Sequence, residues 1–401
     1  MKTCIFTETF YPVMGGGETQ AQLLAEGLIA GGHSVMVLTR RSDVSLKKRE
    51  RYGKVDVHRL APTGTGQSKK WGLLFSSLPK LIQLHHQYDL IFVSGYRIIG
   101  LTAVLVGKIF RKPVILKADS QGEMSGDFFE SGLKKIGISH RSLPFRLFLG
   151  FRNMVLKRAD AFSAISTEIA SEWTSSGIPS DKIHLIPNAV DTQRFVPVEP
   201  AEKIALRKKL NLQQNATIAI YTGRLVSYKG LPLLLKVWND IRHKHESVLL
   251  ILAGTGGLDI HNCEDILREY VKANGLENQV LFTGAVQNVP EYLQASDLFV
   301  FPTENDAFPS SIVEAMACGL PVVTTPVGAI KTIVTDRQTG LLIQPGNAEQ
   351  LFQALDVMLS DDVLASQLGQ AARISVQDQY SAETVTKKYL VLFQSLNKSV
   401  K

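Results

Sequence analysis

Cysteine is scarce in this chain of 401 residues, and the three present, Cys4, Cys263 and Cys318, lie far apart in the sequence. No two of them show the C-x-x-C spacing, so the sequence predicts neither a disulfide framework nor a structural zinc site. Such sparse cysteine is typical of a reducing compartment, and we expect a cytoplasmic location. Cys318 is expected to be a small packed residue rather than a nucleophile.

The chain also lacks long apolar runs, and none reaches the about 18 residues that a membrane-spanning helix needs. Its N-terminus, MKTCIFTETF, has neither the apolar core nor the small-residue cleavage site of a signal peptide. We therefore expect a soluble protein, or one bound peripherally at the cytoplasmic face of a membrane.

Acidic residues are under-represented in the first half of the chain. Residues 1–190 contain 25 Lys and Arg against 15 Asp and Glu, whereas the remainder contains 19 against 22. Two basic segments, residues 68–84 and 134–158, also carry Trp, Phe and Leu. They are interpreted either as amphipathic helices packed on a sheet or as segments lying in an anionic membrane interface. No basic recognition motif accompanies the charge, so we expect no nucleic acid partner.

Short apolar runs alternate with helical patterns throughout the chain. Examples are KTCIFTE, YDLIFVSG and PVILKAD in the first half, and ATIAIYTG, SVLLILAG and DLFVFPT in the second. Strands of this kind with helices between them predict two doubly wound, Rossmann-like parallel-sheet domains. Pro187, Pro197 and Pro200 place the domain boundary within residues 185–203. We expect the two domains to face a cleft, with ligands at the carboxyl ends of the strands.

A glycine run, Gly15, Gly16 and Gly17, follows the first strand and precedes a helical pattern. Adjacent glycines let backbone N–H groups approach an anion, to which the helix N-terminus adds its dipole. The run does not match G-x-G-x-x-G, which argues against a nicotinamide cofactor. A simple turn between strand and helix is the alternative interpretation.

Two cations, Arg224 and Lys229, leave the first strand of the second half together and precede a helix. This arrangement suits a phosphate or diphosphate, although ordinary surface charge is the alternative.

The stretch ENDAFPSSIVEAMACG carries Asp306 in a loop and Glu314 in a helical pattern. Ser311 and Glu314 have the spacing of a capping box, which explains Glu314 locally but leaves Asp306 unexplained. If a nucleotide diphosphate lies on this helix N-terminus, Glu314 can face its ribose while Asp306 approaches a sugar beyond it.

Several motifs together resemble the retaining glycosyltransferases of family 4, which have the GT-B fold. They are GGGE, the linker IPNAVDTQRF, YTGRLVSYKG, ILAGTGG, QVLFTGAV, VPEYLQASDLFVFPT and DAFPSSIVEAMACGLPVVTTPVG. The resemblance covers nearly the whole chain and is weakest at about residues 40–90 and 120–155. It implies an acceptor-binding domain of residues 1–188 plus about 379–401, which cross back, and a donor-binding domain of residues 189–378.

The resemblance also implies roles for individual residues. Arg224 and Lys229 would hold the diphosphate, Glu314 the ribose, and Asp306 would face the donor sugar. Further donor contacts are implied for Gly16, Gly17, Gly254, Thr255, Ala285, Val286, Ser310 and Ser311. No D-x-D metal motif occurs, and because Arg224 and Lys229 can act as the cation, we expect no required metal or cofactor.

The chain departs from the family pattern at two places. The first acid of the family's E-x7-E motif is usually Glu, and here it is Asp306, one methylene shorter. Many members carry a His after the fifth strand, where this chain has KADSQGEMSGD. The candidates there are Lys117, Asp119, Ser120 and Glu123, with Lys117 alternatively a plain strand-end charge.

The implied reaction is transfer of a hexosyl or N-acetylhexosaminyl group from a UDP-sugar, or alternatively a GDP-sugar, with retained configuration. The acceptor would be a hydroxyl of a glycan or of a lipid-linked saccharide, in cell-surface polysaccharide or glycolipid synthesis. Two other interpretations remain: a nucleotide-sugar 2-epimerase, and a nucleotide-binding subunit that has lost catalysis and supports a partner.

Overall fold

The chain forms two compact units in this computed structural model, which describes residues 1–13, 15–64, 67–129, 139 and 142–398. The first unit comprises Met1–Ala189 and Ala382–Lys401, and the second comprises Val190–Ser381. The chain thus enters the second unit between residues 189 and 190 and returns to the first between residues 381 and 382. The boundaries expected from the sequence were residue 188 and about residue 379.

The first unit is built on an eight-stranded sheet with the order β3-β4-β2-β1-β5-β6-β7-β8. Its strands are parallel except β3, which pairs antiparallel with β4. In chain order they are β1 (Lys2–Thr7), β2 (Ser34–Arg40), β3 (Arg49–Tyr52), β4 (Val55–Leu60), β5 (Leu90–Ser94), β6 (Val114–Lys117), β7 (Ala161–Ala164) and β8 (Ile183–Leu185).

Six described helices belong to the first unit. They are α1 (Gly16–Ala30), α2 (Gln67–Leu84), α3 (Gly100–Ile109), α4 (Leu143–Leu156), α5 (Thr167–Ser175) and the last helix of the chain, α14 (Ala382–Lys398). The central strands are buried on both faces, as parallel strands covered by helices require.

The last helix, α14, packs into the core of the first unit. Its Tyr389 hydroxyl lies 2.9 Å from Ser163 Oγ, and the Tyr389 ring meets Phe92 edge-on at 5.1 Å. A side chain at Gly27 of α1 would collide with Thr386, so α1 and α14 are in close contact. The final residues therefore complete the first core rather than the second.

The second unit contains a six-stranded parallel sheet with the order β11-β10-β9-β12-β13-β14. Its strands are β9 (Thr217–Thr222), β10 (Val248–Ala253), β11 (Val280–Gly284), β12 (Leu298–Phe301), β13 (Val322–Thr324) and β14 (Leu341–Leu342). The order runs outward in one direction from β9 and in the other from β12, so the two strands flank a topological switch point.

Eight helices surround this second sheet. They are α6 (Pro200–Lys209), α7 (Leu231–Lys244), α8 (Glu264–Ala273), α9 (Val289–Ala295), α10 (Ser310–Ala317), α11 (Ile330–Ile333), α12 (Ala348–Ser360) and α13 (Asp362–Gln379). The predicted pair of doubly wound, Rossmann-like α/β domains is confirmed. Within the described ranges, every helix is too short or too polar to cross a lipid bilayer.

Candidate functional site

The switch point of the second sheet brings together two residues that are 77 positions apart in the sequence. Lys229 follows β9, Asp306 follows β12, and these strands are direct neighbours. Lys229 Nζ lies 2.6 Å from Asp306 Oδ2, which makes a direct ion pair. Because ligands of doubly wound sheets bind at such points, this pair marks the candidate site.

Lys229 is largely shielded from solvent, with 8% of the residue exposed. It ends a single helical turn, Ser227–Lys229, just before α7. Its ammonium group also donates to the Asn305 carbonyl at 3.1 Å and faces the rings of Tyr228 and Phe301. Burial lowers the pKa of Lys229, and the neighbouring Asp306 carboxylate opposes that shift. The Asp306 carboxylate therefore stabilises the charged form of this buried lysine.

Arg224 is more exposed and is held by two residues that sequence reasoning missed. It forms an ion pair with Asp259 and donates from Nη2 to the Tyr228 hydroxyl at 2.9 Å. Its own carbonyl accepts a hydrogen bond from Tyr221 at 2.7 Å. No motif signals Asp259, which lies in the loop after β10 and reaches Arg224 only through the fold.

The loop that carries Asp306 is held in place from two sides. The N–H of Glu304 donates to the Tyr228 carbonyl at 2.9 Å, and the N–H of Ala329 donates to Ala307 at 3.1 Å. Gly328, with φ of +52°, passes so close to the Asp306 carbonyl that any side chain there would overlap it. The carboxylate of Asp306 is thus presented from a fixed backbone.

The predicted capping box at Ser311 and Glu314 is wrong. The extended backbone of Pro309 makes it the N-cap, and it caps with no side-chain hydrogen bond. The helix α10 consequently begins at Ser310, which puts Glu314 two residues beyond the capping-box position, residue 312. Ser310 and Ser311 occupy the first two positions, where backbone N–H groups have no partner within the helix.

Glu314 is left without a structural partner by this arrangement. Among the described residues, no side chain or backbone N–H donates a hydrogen bond to its half-buried carboxyl. Burial raises the pKa of Glu314 to about 7, partly opposed by the positive charge of Arg194. A carboxyl whose charged form is disfavoured by burial, with no hydrogen-bond donor from the protein, is a candidate for ligand binding.

The turns after β10 and β11 lie along the same edge of the sheet. Gly254, with φ of +150°, lies against the Gly223 carbonyl, and a side chain there would overlap that oxygen. The Thr255 carbonyl accepts from the N–H of Leu225 at 3.0 Å, which joins this turn to the Arg224 loop. Val286 follows the outermost strand, β11, and is therefore farther from Asp306 along the sheet.

The first unit places its candidate residues at its own switch point, between β1 and β5. The helix α1 begins at Gly16, and a Cβ on Gly17 would lie 3.3 Å from Asp119 Oδ2. Lys117 Nζ approaches Asp119 Oδ1 at 3.2 Å. Arg97, which sequence reasoning missed, lies 4.0 Å from Asp119 Oδ2. The glycine run and the charged residues after β6 are therefore neighbours.

Glu123 is the buried member of this cluster. Its Oε1 accepts from the N–H and hydroxyl of Ser120, both at 3.1 Å, and lies 3.5 Å from Arg97 Nε. Its Oε2 has no hydrogen-bond partner among the described residues. Burial raises the pKa of Glu123 to about 7, an effect that Arg97 opposes. We call Arg97, Lys117, Asp119, Ser120 and Glu123 the polar cluster.

Two family models match successive parts of the chain. "Glycosyltransferase Family 4" matches residues 14–194, and "Glycosyl transferases group 1" matches residues 202–375. The chain belongs to this family of glycosyltransferases. A D-inositol 3-phosphate glycosyltransferase of Pseudarthrobacter chlorophenolicus is 26% identical over 91% of this chain and 86% of its own. The predicted family and enzyme class are confirmed.

Solved structures of GT-B glycosyltransferases have a similar fold. A sucrose-phosphate synthase from Thermosynechococcus elongatus has a TM-score of 0.79 at 23% identity, covering 99% of both chains. The Anabaena protein HepE, solved with UDP-glucose, has a TM-score of 0.76 at 20% identity, covering 98% of this chain and all of its own. At these identities the likeness establishes the fold.

Replacing Glu314 by Gln tests whether this acid is costly to the folded glycosyltransferase. Because its pKa is raised from 4.5 to about 7, Glu314 favours folding at low pH, and this contribution is lost as pH rises through that interval. Gln has no such loss. We expect the melting temperature of Glu314→Gln, relative to the native protein, to rise between those pH values and to level off above about pH 7. A difference that does not vary with pH would contradict this.

Proposed function

We propose that this glycosyltransferase moves a hexosyl or N-acetylhexosaminyl group from a UDP-sugar to a hydroxyl acceptor, with retention of configuration. The acceptor is a glycan or a lipid-linked saccharide of the cell surface. The observation that carries the proposal is the buried Lys229 and Asp306 pair at the switch point of the second unit. The likeness to HepE, solved with UDP-glucose, supports a uridine nucleotide as the donor base, with GDP as the alternative.

The charges of the second unit suit a departing nucleotide diphosphate. Cleavage of the bond between the sugar and the phosphate leaves additional negative charge on the nucleotide. Lys229, Arg224 and the N-terminus of α10 then stabilise the transition state more than the bound donor, because that charge develops during the reaction. Asp259 and Tyr228 orient Arg224 for this role.

The two acids have separate roles in this proposal. Glu314 accepts hydrogen bonds from the ribose hydroxyls, which would supply the partners that it lacks in the protein. Asp306 holds Lys229 in place and faces the donor sugar from the same loop. Its side chain is one methylene shorter than the usual Glu, and the fixed backbone around Gly328 sets how far it reaches.

The nucleotide is tested by thermal melting with UDP, GDP, ADP, TDP and their sugar conjugates. A ligand that binds only the folded state raises the melting temperature, and we expect UDP and UDP-sugars to do so in the presence of EDTA. In Glu314→Gln the UDP shift should shrink. No shift with any nucleotide would contradict the proposal and favour a subunit without catalysis, and a shift that requires a metal would contradict the expected metal independence.

Asp306→Ala should lower the transfer rate by about 100-fold or more, since one polar group acting on the reacting centre contributes at this scale. Asp306→Asn keeps an acceptor oxygen but removes the charge beside the buried Lys229, so it should lower the melting temperature and lose most of the rate at a temperature where the variant is still folded. Glu304→Ala is the matched control, because Glu304 is an exposed acid two residues away. Unchanged turnover in Asp306→Ala would overturn the assignment.

Gly16→Ala tests the glycine run independently of stability. No atom lies within 4 Å of the position that its Cβ would take, and Ala is favoured over Gly in a helix. The melting temperature should stay the same or rise. The affinity for UDP-sugar should fall by about tenfold, because a methyl group would keep phosphate away from the backbone N–H. Gly150→Ala in α4, also unobstructed, is the control and should bind normally.

A further inference from the structure

One side of α2 exposes a continuous row of large apolar side chains. Trp71, Phe75, Leu78 and Ile82 recur at the spacing of one helix face, and Phe75 is 75% exposed. The opposite positions, such as Leu73 and Leu81, are fully buried. The helix therefore packs one face on the core of the first unit and exposes a second apolar face to solvent.

The helix α4 repeats this arrangement, and both α2 and α4 pack against α3. Leu143, Leu147, Phe151 and Met154 lie on its exposed face, each between 52% and 67% exposed. The two helices meet where the ring of Trp71 lies 5.4 Å from that of Phe148. We call the four residues of α2 and the four of α4 the α2/α4 face.

No helix of the second unit resembles these two. Residues 190–381 are all described, and there a single helix exposes at most two large apolar side chains, as α13 does with Val363 and Ile374. Scattered single apolar residues are normal on a protein surface, whereas a contiguous patch marks a contact. The exposed apolar side chains of α2, and likewise those of α4, form such a patch along their helix.

The segments that contain α2 and α4 are basic in sequence. Neither residues 57–88 nor residues 131–159 contain any Asp or Glu, and together they carry eleven Lys and Arg. Of these, Lys80, Arg146, Lys157 and Arg158 have described side chains that reach solvent, whereas Arg59 and Arg152 are buried; residues 130–138, 140 and 141 lie outside the described part of the chain. Apolar side chains with a basic surround are complementary to an anionic bilayer interface.

A line of aromatic rings connects this face to the polar cluster. Successive ring centroids are 5.4 to 6.2 Å apart along a path through Trp71, Phe148, Phe145, Phe129 and Phe128. The path ends at Arg97, whose guanidinium lies 4.1 Å from the Phe128 ring centroid. A series of ring contacts thus joins the α2/α4 face to the switch point of the first unit.

We infer that the α2/α4 face inserts into the interface of an anionic lipid bilayer and that the acceptor is carried by a lipid of that bilayer. The aromatic path then leads from the lipid surface to the polar cluster, where the acceptor headgroup binds. The identity of the acceptor rests on the proposed function. The membrane contact does not, because it follows from exposure and charge alone.

Native fluorescence reports on this contact without a label. Trp71 is 43% exposed, and the other two tryptophans, Trp173 and Trp238, are fully buried. Vesicles of phosphatidylglycerol and phosphatidylcholine at low salt should shift the emission to shorter wavelength. Phosphatidylcholine alone, or high salt, should give a much smaller shift, since screening weakens the attraction. Trp71→Phe should abolish the shift while the protein still sediments with the anionic vesicles.

The double variant Phe75→Ser with Phe151→Ser tests the face itself. Both side chains are exposed, so folding should be retained, and binding to anionic vesicles should weaken by about tenfold or more. Ile266→Ser with Val363→Ser, equally exposed in the second unit, is the matched control and should bind as the native protein does.

Three results would overturn the inference: no binding of the native protein to anionic vesicles, undiminished binding of the double variant, or a dimer that the double variant dissociates without vesicle binding. The last would identify the face as a contact between two copies. UDP binding is measured on the same samples. Vesicle binding without nucleotide binding would contradict the proposed donor site and leave the membrane contact supported.

Discussion

The ion pair between Lys229 and Asp306 is the interaction on which the interpretation of the second unit depends. Burial disfavours the ammonium form of Lys229 and lowers its pKa, and the Asp306 carboxylate beside it opposes that shift. That carboxylate arrives only because β12 lies next to β9 in the sheet. The strand order therefore determines whether the buried ammonium group has its partner.

Both units keep an acid where folding disfavours its charge. Burial raises the pKa of Glu314 in the second unit and of Glu123 in the first to about 7. Each lies beyond the carboxyl end of a strand, near the switch point of its own sheet. Stability given up at such positions is typical of sites that are selected for binding or catalysis. The two sheets thus use the same topological feature, one with a glycine run and one with a paired lysine.

Some features of the site were beyond sequence reasoning for identifiable reasons. Asp259 and Arg97 lie in loops without a recognised motif, so only contacts made through the fold connect them to their partners. The capping box failed because Ser311 and Glu314 have the right spacing but the helix begins two residues earlier than an N-cap at Ser311 requires, after Pro309. The strand β3, with the sequence RERY, has no apolar alternation and is defined by its pairing with β4.

The sequence by itself determined the two doubly wound domains, the family motifs and the excess of basic residues in the first half. These follow from local periodicity and composition, which can be read from short stretches of the sequence without knowing which distant residues meet. Only the tertiary structure decided that Lys229 pairs with Asp306, that α14 completes the first core, and that α2 and α4 each keep an uncovered apolar face. An amphipathic or apolar helix does not reveal in its sequence which of its sides the rest of the chain will cover, because burial depends on contacts between distant residues.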